Sequence, residues 1–93
     1  MKTVSQAIIS VVGADQVGII ARVSAILSEQ KVNIIDINQT ILSGNFVMMM
    51  MIDYADAKTT IKEIRAEMDK IAKNMNVGIH VMHEEVFNAM HRI

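Results

Sequence analysis

The chain has 93 residues and a net charge of −1, which describes one compact domain with no long-range attraction to nucleic acid or an anionic membrane. It has no cysteine, which excludes disulfides, thiolate metal sites and cysteine nucleophiles, and a reducing cytoplasm is the expected location. Hydrophobic residues make up 52% but aromatics only 3%, so the core must be aliphatic, built from Ile, Val and nine Met.

The first six residues lack an apolar export segment and a small-residue cleavage site. Residues 7–12 are short, β-branched and apolar on both alternate faces, which predicts a first strand. Gly13-Ala14-Asp15-Gln16-Val17-Gly18-Ile19-Ile20 follows, and a helical pattern runs from there to Lys31. Asp15 is the expected N-cap. Ile19, Val23, Ile26, Leu27 and Gln30 mark the buried face of that helix. Residues 32–42 predict a long second strand, with Ile35, Ile37 and Ile41 on one side and Asp36, Asn38 and Thr40 on the other.

Ser43-Gly44-Asn45 is a turn, so residues 46–54 should be a hairpin partner. The apolar run at 46–52 is far shorter than the roughly 20 residues needed to span a bilayer. Asp56 is placed to cap a second helix. Its stripe is Ile61, Ile64, Met68, Ile71 and Met75, with Asn74 and Asn76 at its end. Residues 77–82 predict a fourth strand. Residues 84–92 predict a short C-terminal helix with Val86, Phe87 and Met90 on one side, followed by Ile93.

This order is βαββαβ. It predicts an α+β, ferredoxin-like domain: a four-stranded antiparallel sheet, two helices on one face, and the extra C-terminal helix. The whole chain, 1–93, is one domain with its core over about 6–82. Strands one and three are apolar on both faces, yet two helices cover only one. Either Ile8 and Val12 or Ile9 and Val11, with alternate residues of 48–51, therefore need a second cover. The C-terminal helix, a second copy of the chain, or both would supply it, and a homodimer is expected.

The strand-to-helix junction carries the functional signal. A helix N-terminus presents unpaired backbone N–H groups and a partial positive charge, which suits a small anionic group such as a carboxylate. The plainer reading is structural: Gly13 taking a positive φ, Gly18 allowing close approach of helix and sheet, and Asp15 only capping. The junction is neither a Rossmann fingerprint, which needs the three glycines of G-x-G-x-x-G, nor a P-loop, which needs G-K-S/T.

Gly13-x-Asp15-x-x-Gly18-Ile19-Ile20, then Val23, Ile26 and Leu27, then Val32-Asn33-Ile34, resembles an ACT domain across about residues 6–82. The segments Asp36-x-x-Gln39-Thr40 and Phe87-Asn88-Ala89-Met90 are similar to small proteins made of a single ACT domain. That group in turn resembles the ACT domains of glycine-cleavage-system repressors. The resemblance implies a non-catalytic regulatory module that senses an amino acid at the interface of a homodimer, with polar contacts from the positions of Asp15 and Asn33.

The residues themselves agree. Asp15 can accept from an ammonium, backbone N–H groups from Val17 to Ile19 can donate to a carboxylate, and the Asn33 amide can do both. The expected ligand-contacting set is Gly13, Asp15, Gln16, Val17, Gly18 and Ile19, completed by Asn33 and Ile34 from a second copy. No catalytic residue, metal ligand or cofactor is expected, and neither nucleic acid nor membrane is an expected partner. Met48 to Met51 alternate between faces and cannot form one thioether cluster. His80 and His83 likewise face opposite ways on a strand. The competing reading is a ligand-free interaction module that docks a protein through its sheet face and C-terminal helix.

Overall fold

The computed structural model describes residues 5–14, 18–57 and 59–83. The elements are β1 (Gln6–Ala14), α1 (Ile19–Glu29), β2 (Asn33–Leu42), β3 (Asn45–Asp53), α2 (Ile61–Met75) and β4 (Gly78–His83). The sheet runs β2-β3-β1-β4, and every neighbouring pair is antiparallel. This is the expected ferredoxin-like plan. The expected C-terminal helix falls on residues outside those described.

Both helices pack on one sheet face. Ala7, Ile9 and Val11 of β1, Met48, Met50 and Ile52 of β3, and Ile79 and Val81 of β4 meet Ile19, Val23 and Leu27 of α1 and Ile64, Met68 and Ile71 of α2. This settles which alternate set faces away from the helices. Ile8 and Val12 lie on the outer face, beside Met49, Met51 and Val47 of β3 and Met82 of β4. Met48 to Met51 therefore divide between the two faces as alternation requires.

Two helix starts differ from expectation. Helix α1 begins at Ile19 with Gly18 in the N-cap position, one that offers no side chain; Asp15, the expected cap, lies outside the described residues. Helix α2 is capped by Thr60, not Asp56. The Thr60 Oγ1 accepts from Glu63 N–H at 3.2 Å, and the Glu63 carboxylate accepts from Thr60 N–H at 3.2 Å. The sequence Thr60-x-x-Glu63 satisfies two end-of-helix donors reciprocally, which a single aspartate four residues earlier cannot do. Thr60→Ala is expected to cost about 1 kcal/mol, read as a lower urea midpoint at unchanged slope.

The C-terminus of α2 fits expectation. Asn76 adopts the left-handed conformation at φ 56°, and its N–H and that of Val77 both donate to the Ala72 carbonyl.

The second strand is less regular than its sequence suggests. Pairing runs Ile34 to Ile52 and then Asp36 to Met51, so Ile35 is the extra residue of a β-bulge. Ile35 therefore does not share a face with Ile37 and Ile41. Beyond the bulge, Ile37 aligns with Met50 on the helix side, while Asp36, Asn38 and Thr40 align with Met51, Met49 and Val47 on the outer side. The hairpin loop is two residues, Ser43 and Gly44, both at positive φ (53° and 81°), and Asn45 already belongs to β3. Positive φ at both loop positions matches the twist of paired strands.

Candidate functional site

The junction after β1 sits at the same end of the sheet as the hairpin loop. Ala14 aligns with Asn45, which aligns with Leu42. Gly13 is extended strand, not a positive-φ position as the structural reading supposed. Its lack of a side chain serves close packing instead: a Cβ there would lie 2.9 Å from the Cβ of Val77, the residue that leads into β4.

Gly18 is less constrained than expected. Its φ is −87°, and a Cβ would meet only the Met75 Cε at 3.8 Å, an ordinary contact. Close helix–sheet approach therefore does not require glycine here. Ile19 is fully buried, so its side chain belongs to the core and only its backbone can serve a ligand. The first helical hydrogen bond is Arg22 N–H to the Gly18 carbonyl, at 3.0 Å. Among the described residues no side chain caps this helix, and the donors of its first turn face the junction. Asp15, Gln16 and Val17 lie outside the described residues.

Asn33 and Ile34 are elsewhere. Asn33 opens β2, is exposed, and aligns with Asp53, which aligns with Gln6 at the start of β1. Asn33 thus sits at the opposite end of the sheet from Ala14. At ~3.4 Å per residue the two ends are about 27 Å apart. One copy of the chain does not bring Asn33 and the junction onto one small molecule.

The two rims of the sheet differ. β4 is short, and Arg65 of α2 donates from Nη2 to the Val81 carbonyl at 2.9 Å, tying the helix to that strand. β2 is ten residues long, carries a single charged side chain, Asp36, and leaves Ile41 and Leu42 63% and 64% exposed. A long, apolar rim with no strand beside it among the described residues is a template for another strand.

Sequence reasoning missed a cavity of about 180 Å³ on the outer face, lined by Ile8, Asp36, Asn38, Met49 and Met51 together with Met50. The alternation of Asp36, Asn38 and Thr40 showed a polar side to β2. The bulge that fixes its direction left no mark in the residue pattern. His80 aligns with Ser10 on the outer face, whereas His83 lies at the opposite parity, where its Nδ1 is 3.4 Å from the Tyr54 hydroxyl. Among the described residues, no helix is long and apolar enough to cross a membrane.

Known proteins match this chain over most of its length. A UPF0237 protein of Listeria monocytogenes is 43% identical over 88 residues, covering 95% of this chain and 99% of that protein. An ACT domain protein from Streptococcus pneumoniae superposes with a TM-score of 0.76 at 38% identity, over 88% of this chain and 92% of that one. The ligand-free regulatory subunit of aspartate kinase from Thermus thermophilus shares the fold at 19% identity, with a TM-score of 0.64 over 85% of this chain and 51% of that one. The family model for the ACT domain matches residues 5–82, the same span that holds all four strands and both helices but for one terminal residue. By fold, by sequence and by length, this chain belongs to the ACT domain family.

Proposed function

We propose that the chain is a non-catalytic regulatory module that binds a free amino acid between two copies of itself. The observation that supports this reading is the separation of the two regions expected to contact the ligand. The junction lies at one end of the sheet and Asn33 at the other. Antiparallel pairing of β2 with β2 of a second copy inverts one sheet relative to the other. Asn33 of one copy then comes level with the junction of its partner, across three strand spacings or about 14 Å. That gap is within the combined reach of two side chains with an amino acid between them. The exposed β2 rim favours such pairing, because a two-fold axis places the same strand on both sides.

Within this site the ammonium is assigned to Asp15, the carboxylate to backbone N–H groups around Val17 to Ile19, and a further contact to the Asn33 amide. Gly13, Gln16 and Gly18 shape the pocket, and Ile34 flanks Asn33. Ligand binding would act by linkage, favouring the paired state and so changing contact with another protein. Isothermal calorimetry with the common amino acids tests the reading. At least one is expected to give saturable heat by millimolar concentration, and Asn33→Ala is expected to weaken it about tenfold or more without dissociating the pair. No heat from any of them would refute the sensor.

A second reading is favoured by one observation, the apolar outer face formed by Ile8, Val12, Met49, Met51 and Met82. On this reading the chain is a ligand-free module that docks a protein through that face and residues 84–93. It predicts no effect from Asn33→Ala and a strong one from Phe87→Ala or Met90→Ala on partner capture.

A further inference from the structure

The outer sheet face holds a second feature that is independent of the junction. The β-bulge at Ile35 sets the direction of everything after it in β2. In a regular strand Ile35 would align with Met51 and Asp36 with Met50, which would send the carboxylate toward the helix-covered core. The extra residue instead aligns Asp36 with Met51 and Asn38 with Met49. It thereby delivers an acid and an amide to the outer face while keeping Ile37 against the core. Bulges that re-aim side chains in this way recur beside binding sites.

The cavity of about 180 Å³ lies where these residues meet β3 and β1. Its apolar lining is Met49 and Met51, both half-buried, and Ile8, which is 6% exposed. Asp36 is its one ionisable lining group among the described residues. The Oδ1 atom of Asp36 accepts from the Ile37 N–H at 2.9 Å, which fixes the carboxylate, and no described group occupies the other oxygen. Asn38 adds an amide oxygen acceptor. Among the described residues, no lysine or arginine lines the cavity to neutralise the carboxylate.

A held carboxylate and an amide oxygen above polarisable thioethers select a cation with an apolar body. We propose that this cavity binds a small primary ammonium ion bearing a short aliphatic chain. The ammonium donates to Asp36 Oδ2 and to the Asn38 amide oxygen, and the chain lies against Met49, Met51 and Ile8. The cavity faces away from both helices, so it stands or falls apart from the junction site.

The nine methionines give a direct readout through methyl-labelled NMR. The probes are isoamylamine and its isosteric acid, isovalerate, each titrated to tens of millimolar at neutral pH. Met49 and Met51 methyl resonances, assigned with Met49→Leu and Met51→Leu, are expected to shift saturably with the amine and to stay in place with the acid. Asp36→Asn keeps the Oδ1 acceptor for Ile37 and removes the charge. It is expected to weaken the amine response at least tenfold while the other methionine resonances hold their positions. Absence of a saturable shift, equal shifts from amine and acid, or an undiminished response in Asp36→Asn would each overturn the proposal.

Discussion

Gly13→Ala is expected to be the most damaging single methyl that can be added to this chain. The new Cβ would be placed 2.9 Å from the Val77 Cβ, inside the distance at which such atoms pack. Gly13 sits in β1, and Val77 is anchored by its N–H bond to the Ala72 carbonyl at the end of α2, so neither backbone yields easily. Overpacking of this kind costs about 1–3 kcal/mol. In a domain of this size that is a fall in melting temperature on the order of 10 °C. Gly18→Ala is the matched control, since its Cβ finds ordinary contact distance, and its effect should stay within about 0.5 kcal/mol. The pairing of Gly13 with Val77 is checked by a double-mutant cycle. Val77→Gly should recover part of the loss in the Gly13→Ala background, showing a favourable coupling between the two sites. Equal melting temperatures for Gly13→Ala and Gly18→Ala would show that the junction has slack where the geometry leaves none.

The second large effect concerns association. The wild-type chain is expected to sediment as a dimer at micromolar concentration. Ile35→Lys with Ile41→Lys should convert it to a monomer, with a loss of at least 100-fold in dimer affinity. Ile35 and Ile41 are exposed, 48% and 63%, so neither substitution disturbs the interior. Pairing of β2 with its symmetry mate would place four added cations, two on each face, along one two-stranded seam, where solvation of the charges and loss of apolar contact oppose pairing. Lysines on an open strand rim are a common way for proteins to prevent such pairing. A double variant that still sediments as a dimer would move the interface away from β2, to the outer sheet face or residues 84–93. The circular dichroism of the variant should match the wild type, which separates lost association from lost folding.

Much of this architecture was legible because it rests on local periodicity. The α2 stripe from Ile61 to Met75 repeats at three and four residues, and three of its members are buried. Alternation in Met48 to Met51 correctly divided the methionines between two faces. The parts that were not legible depend on single-residue choices between near-equal local options. Asp56 and Thr60 are both sound capping residues. Only the return bond from Glu63 selects Thr60, and the start of α2 moves with it. The bulge at Ile35 is harder still, because Ile34-Ile35-Asp36-Ile37 satisfies two registers. The choice is made by pairing with β3, far along the chain. That one shift decides where Asp36 and Asn38 point, so the outer-face cavity was hidden. At the junction, the glycine at residue 13 reads locally as a turn signal, whereas the requirement comes from Val77, 64 positions later.

The Arg65 bond to the Val81 carbonyl bears on how large an assembly this fold can form. A sheet able to accept neighbours at either end would go on recruiting copies and grow into fibres. Helix α2 engages one carbonyl of β4 through that guanidinium, so on the proposed pairing recruitment is expected through β2 rather than β4. On that pairing the two β2 rims are consumed against each other, and a closed pair is the expected assembly.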